Sequence, residues 1–272
     1  MLKTRVLTAA VLLAVLLSAL FLLPKSGWIA FCALFLGIAA WEWGALVALA
    51  PISRSVYSVF VVGLFVSPAL LEAVWANGLY APACVYQAGA FFWVILVPLW
   101  LWRRPKIEGR IWLLGAGTLV LLPASVALVD LRSVAPSLLL GVLVTVWISD
   151  TAAYLIGMRF GKHKLAPIIS PGKTWEGVAG ALAAVALYAL AWVSVGGPTG
   201  IVARSGGAPG WLLPVLLGLA VAGMIGDLFE SLIKRQAGVK DSGTFLPGHG
   251  GLLDRIDAPV AMLPLAVLAF AR

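Results

Sequence analysis

Apolar residues run along this chain in long, nearly unbroken stretches, not in the alternating pattern of soluble strands or the one-sided pattern of soluble helices. Nine stretches recur, at about 6–23, 28–50, 56–72, 83–102, 111–131, 136–157, 176–195, 211–233 and 250–271. An α-helix needs about 20 residues to cross the hydrocarbon core. Backbone exposed to lipid finds no water to bond, so helices are the element these stretches predict. The expectation is an all-α polytopic integral membrane protein with about nine transmembrane helices, forming a single membrane domain over 1–272. Gly/Pro-rich 196–210 predicts a loop, and 158–175 and 234–249 predict two longer polar loops. The first stretch follows Lys3 and Arg5 without a small-x-small cleavage site. It is expected to stay as a signal anchor.

Composition closes off the soluble alternatives. Hydrophobic residues make up 62% of the 272 and charged residues 11%, against roughly a quarter charged in ordinary soluble domains. Mean hydropathy is +1.05. The net charge of +8, from 19 Lys+Arg and 11 Asp+Glu, has a topological reading. With the N-terminus in the cytoplasm, fourteen of the Lys and Arg fall inside and four outside, Lys25, Arg132, Arg204 and Arg272, with Arg255 inside a span. Such a bias sets orientation in a cell inner membrane and makes the partner a lipid bilayer, not a nucleic acid. Both long polar loops then face the cytoplasm, with a polar cavity near that face. Cys32 and Cys84 lie in apolar runs and read as small buried hydrophobes. Trp28, Trp100, Trp102, Trp112 and Trp211 read as interface anchors.

Charges inside a bilayer need a reason, and seven of the acids lie at or beyond residue 150. Asp227 and Glu230 are spaced i, i+3, so they share a helix face. Asp254 and Asp257 repeat the spacing in the last stretch, and the two helices are expected to run antiparallel across a cytoplasmic loop. Asp150 lies nine residues before Arg159, about 14 Å deep by helix rise. Gathered carboxylates repel one another unless a cation or proton intervenes. They either hold a hard cation such as Mg²⁺ or are neutralised by Arg255, Lys234 and Arg235. The loop between the pairs carries Lys234, Arg235 and Lys240 for phosphate oxygens. Gly250 and Gly251 open the next helix, where their N–H groups would face an anion. His249 either contacts a phosphate or caps the helix. In 170–177, Lys173, Ser170 and Thr174 are further phosphate candidates, with Thr174 also an N-cap and Glu176 a first-turn acid. Glu42, between Trp41 and Trp43, reads equally as functional or interfacial.

These residues carry a resemblance. Ser231, Lys234, Arg235, Lys240, Asp241, Gly243, Leu246, Pro247, His249, Gly250, Gly251, Asp254, Arg255 and Asp257 resemble the signature of the phosphatidate cytidylyltransferase family, the CDP-diacylglycerol synthases. Asp150, Ala153, Tyr154, Gly157 and Phe160-Gly161-Lys162 look like its preceding helix and loop. Ser170-Pro171-Gly172-Lys173-Thr174-Trp175-Glu176-Gly177 looks like its SP-x-KT-x-EG stretch, with Gly172 where Lys or Asn is commoner.

The resemblance implies a nucleotidyltransferase of phospholipid synthesis that makes CDP-diacylglycerol and pyrophosphate from CTP and phosphatidate. It implies Mg²⁺, with a second, monovalent ion such as K⁺, on Asp227 and Asp254, and Glu230 as a further candidate ligand. The catalytic set expected is Asp227, Asp254, Asp257, Asp150, Lys234 and Arg255. Substrate contacts are expected from Ser170, Lys173, Thr174, Arg235, Lys240, Asp241, His249, Gly250 and Gly251. It places the catalytic helices at 136–272 with the signature at 231–257, and leaves 1–135 to lipid access or a homodimer contact. The alternatives are a CTP-dependent transferase acting on an ether lipid or polyprenol, and, remotely, a cation transporter.

Overall fold

The computed structural model describes residues 2–70, 80–106, 109–195, 209–245 and 250–271. His249 and most of the 196–210 loop lie outside them. The chain forms α1 (Leu2–Leu22), α2 (Lys25–Leu46), α3 (Pro51–Leu70) and α4 (Ala83–Phe91), which passes through one π-helical turn at Phe92–Leu96 into α5 (Val97–Arg103). Then come α6 (Arg110–Val134), α7 (Pro136–Phe160), strands β1 (Lys164–Ala166) and β2 (Ser170–Thr174), and α8 (Trp175–Ser194). The last elements are α9 (Leu212–Gln236), α10 (Leu253–Ile256) and α11 (Pro259–Phe270).

Each predicted stretch coincides with an apolar helix. Among the described residues, six segments are long and apolar enough to cross a membrane: α2, the joined α4–α5, α6, α7, α8 and α9. Apolar helices at Leu7–Leu22, Pro51–Ser67 and Pro259–Phe270 are shorter. The polar loop expected at 158–175 instead contains a small antiparallel hairpin, pairing Lys164 with Thr174 and Ala166 with Ser170.

The hydrogen-bond ladder of the last stretch is interrupted, but Leu252, Asp257 and Ala258 keep right-handed helical dihedrals, so Asp254 and Asp257 still lie one helical turn apart. Pro259 has no N–H to donate back to Arg255, so the ladder stops and restarts. Asp254 falls in the one-turn α10 and Asp257 at its C-cap, ahead of α11.

Packing relies on small residues that let large ones approach. Trp43 sits over Gly117 and donates from Nε1 to the Leu113 carbonyl, 2.9 Å. Trp192 fills the space above Gly141. Around Phe229 on α9 stand Trp100, Trp93, Phe92 and Trp43, with ring centroids 5.2, 5.7, 5.8 and 6.5 Å away. This aromatic cage fixes the rotation of α9 one residue from Glu230. Trp28 is likewise core, 1% exposed, and not an interface anchor. Its Nε1 bonds the Leu128 carbonyl and its ring lies under Arg132. Trp102 and Trp112 are exposed at 78% and 74%, as anchors would be. Cys32 is buried, but Cys84, in the first turn of α4, is exposed.

Candidate active site

The acids at the C-terminal end of α9 are brought together with two lysines. Ser170, on β2, opens the strand that delivers the first of them. Thr174 ends that strand as the N-cap of α8; it is buried, and its Oγ1 accepts from the Gly177 N–H at 3.2 Å. Glu176 reaches back to the base of the hairpin. It accepts from the Lys162 N–H at 3.1 Å and the His163 N–H at 3.2 Å, and pairs with His163 Nδ1 at 2.6 Å. With both ends of the hairpin held, Lys173 extends to an ion pair with Asp227. Gly172 faces open space.

Asp227 also accepts from Ser231 Oγ, 3.4 Å away. Asp150 stands midway along α7. It lies within electrostatic range of Asp227 and Lys173. Asp257 feels Asp227, Asp150 and Lys173, and its Oδ1 accepts the Ala258 N–H at 2.9 Å.

The second lysine serves the other half. Lys234 Nζ lies 2.6 Å from Asp254 Oδ1 and 3.3 Å from Glu230 Oε1. Glu230 is 5% exposed, and its Oε2 has no hydrogen-bond partner among the described residues. Asp254 is better served: its Oδ2 accepts the Gly251 N–H at 2.8 Å, the Ser242 N–H at 3.0 Å and approaches Ser242 Oγ at 3.1 Å. Asp254 lies outside the six candidate spans. Burial pushes its carboxyl up, but Lys234 and the Gly251 and Ser242 N–H groups more than offset that and hold it below the usual carboxylate range.

At the Gly250–Gly251 turn the Gly251 donor is therefore not kept for an outside anion. Gly250 adopts φ +82°, a left-handed conformation suited to glycine, and the Gly251 N–H is spent on Asp254. The next two N–H groups, of Leu252 and Leu253, go to Glu42 on α2, each at 2.9 Å. Glu42 is 4% exposed and also meets Ser242 Oγ at 3.1 Å. It is a member of the site from the first half of the chain. Its sequence signal was a carboxylate well inside an apolar stretch; only the tertiary structure supplies its partners.

The remaining cations line the rim. Arg235 is exposed and donates to the Val239 carbonyl at 3.4 Å, and Lys240 and Arg255 are exposed. Asp241 and Ser242 border a cavity of about 380 Å³ together with Ala48, Arg110 and Gln236. Among the described residues, no group of three or more His, Cys, Asp or Glu side chains is already arranged around a metal position. The chemistry of the set still suits a cation: five carboxylates, Asp150, Asp227, Glu230, Asp254 and Asp257, meet two lysines, and Glu230 Oε2 is buried with no hydrogen-bond partner among the described residues.

Comparison with known proteins adds an independent view. A model of the cytidylyltransferase family matches residues 3–271. A Pseudomonas aeruginosa protein named phosphatidate cytidylyltransferase is 39% identical over 281 residues, covering 97% of this chain and 95% of its own. A Haemophilus influenzae protein of the same name is 35% identical, covering 97% of this chain and 96% of its own. One from Brucella suis is 49% identical over 124 residues, 45% of this chain and 43% of its own.

Proposed function

This chain belongs to the cytidylyltransferase family, and on that premise we propose that it transfers the cytidylyl group of CTP to phosphatidate. An oxygen of the lipid phosphate attacks the α-phosphorus of CTP. The bond from that phosphorus to the oxygen bridging the β-phosphate breaks, and pyrophosphate leaves with the electron pair. A phosphate monoester loses its second proton near pH 6, so the lipid phosphate is already a dianion at neutral pH and needs no strong general base. The barrier is electrostatic: one polyanion must approach another.

The observation that carries this reading is the end-to-end similarity to two relatives of that name, joined to a site where lysines and carboxylates alternate at one end of the helices. Lys173 and Lys234 hold phosphate oxygens in exchange for their acid partners, with Arg235, Lys240 and Arg255 at the rim. Ser170, Asp241, His249 and Gly250 complete the substrate contacts. Thr174 and the Gly251 N–H are committed to a helix cap and to Asp254. Asp227, Asp254 and Glu230 would hold Mg²⁺, with a monovalent ion such as K⁺ beside it. Bound there, the metal supplies Lewis-acid charge compensation on the triphosphate. Asp150 and Asp257 keep the surroundings polar.

The bilayer reading is nine spans with a cytoplasmic N-terminus in the inner membrane. It lets the lipid's acyl tails stay in the membrane while its head meets cytoplasmic CTP in a polar cavity at that face. Residues 1–135 shape lipid access or a dimer contact, and 136–272 carry the chemistry.

The test is pyrophosphate release by the purified chain in phosphatidate-containing vesicles. Turnover should require CTP, phosphatidate and Mg²⁺ together. Turnover with an ether-lipid or polyprenyl phosphate in place of phosphatidate would overturn the substrate. Full Mg²⁺-dependent turnover in Asp227→Asn and Asp254→Asn would overturn the metal assignment.

A further inference from the structure

Glu42 is a buried carboxylate with no lysine or arginine ion pair among the described residues. Among the described residues its carboxylate is met by dipoles. Leu252 N–H points to Oε1, Leu253 N–H to Oε2, and Ser242 Oγ lies 3.1 Å from Oε2. Two parallel N–H groups need two acceptor oxygens, which a carboxylate has and an amide lacks. Space is made for it. A Cβ on Gly243 would stand 2.7 Å from Glu42 Oε1, and one on Gly251 would stand 2.6 Å from Oε2. Two glycines of the signature are thus small because a side chain from α2 enters the turn.

The same turn holds Asp254. Ser242 Oγ is 3.1 Å from both Glu42 Oε2 and Asp254 Oδ2, and the Gly251 N–H that grips Asp254 adjoins the Leu252 N–H that Glu42 grips. One hydroxyl and one peptide unit separate the two carboxylates. We propose that Glu42 is a positioning residue for the transferase site: from α2 it clamps Ser242 and the Leu252–Leu253 peptide and so keeps Asp254 in place against Lys234. The proposal rests on the functional reading for the reaction that it serves, but the clamp itself can be read without turnover.

Two measurements on the full chain in detergent separate the cases. In Glu42→Gln, one oxygen becomes an NH₂ group facing a peptide N–H. Hydrogen–deuterium exchange of the 240–256 peptide should then rise about tenfold or more, while peptides of α7 and α8 stay unchanged. In phosphatidate vesicles, kcat should fall about a hundredfold, the scale expected when a reacting group is misplaced by about 1 Å. KM for CTP should change much less, and Glu42→Asp, which keeps both oxygens, should recover part of kcat. If wild-type turnover is absent, the functional reading fails while the exchange result still decides the clamp. Unchanged exchange in 240–256, or a uniform rise across all helices, overturns it, as does a Glu42→Gln kcat above half of wild type. Should Glu42→Gln fail to fold, Ser242→Ala removes only the shared hydroxyl. It should raise exchange in 240–256 and lower kcat about tenfold, in line with one hydrogen bond to a charged group; no change in either refutes the proposal.

Discussion

Replacing Lys234 by methionine keeps the length and apolar stem of the side chain and removes its charge. Lys234 is 12% exposed, and its partners Glu230 and Asp254 are 6% and 8% exposed. At 2.6 and 3.3 Å and an effective dielectric of about 20, the gross Coulomb attractions are about 6 and 5 kcal/mol. Desolvation of the three charges cancels much of that. The net worth of the trio is therefore modest, but breaking it leaves two buried carboxylates facing each other. Removing one partner of a buried pair costs about 3–5 kcal/mol. For a chain of this size that lowers the unfolding midpoint on the order of 10 °C. Thermal unfolding in detergent, followed by tryptophan fluorescence, measures it. Adding Glu230→Gln to Lys234→Met removes one of the stranded charges and should return about half the loss without restoring turnover. A midpoint within about 2 °C of wild type for Lys234→Met would refute the reasoning, because the trio would then be solvated.

Other outcomes follow from the same geometry. Asp254→Asn should fold, because its amide oxygen still accepts from Gly251 or Ser242, yet lose about a hundredfold or more in turnover, read as pyrophosphate release. Gly251→Ala should cost about 1–3 kcal/mol by overpacking against Ser242 and Glu42, whereas Gly172→Lys, in open space, should leave the midpoint unchanged. Thr174→Ala removes the α8 cap and should cost about 1 kcal/mol in the same melt. Because the folded Asp254 carboxyl lies below its ordinary range, its share of stability is present above about pH 4 and lost as pH falls through the folded value. Asp254→Asn should flatten that acid limb in melts taken below about pH 4, and leave the midpoint's pH dependence above it unchanged.

The helices and the residues of the site differ in how legible they were. Long apolar runs left nine helices visible, because membrane-length hydrophobicity is a local signal. Asp227 with Glu230, Lys173 and Lys234 were legible for the same reason: charges are scarce here, so each stands out. Pairing was not legible. The Lys173–Asp227 contact depends on a hairpin of three- and five-residue strands whose periodicity is too short to read. The break before Pro259 was hidden by the apolar residues around it, and its proline signal was outweighed by hydropathy. Glu42 is the clearest case. Its partners lie more than 200 positions away, and nothing near it in sequence announces them. Trp28 misled for a related reason: a tryptophan near a span end looks the same whether its N–H meets water or the Leu128 carbonyl.

The clamp between Glu42 and the Leu252–Leu253 peptide also sets a timetable for biogenesis. Synthesis at about 5–20 residues per second separates the two by roughly 10–40 s. Throughout that interval α2 carries a carboxylate whose peptide N–H partners do not yet exist. The nascent chain must keep Glu42 hydrated at the membrane surface or sheltered by the insertion machinery until the final segment emerges. A ribosome that stops before residue 252 releases a chain with the charge of the site and none of its closure.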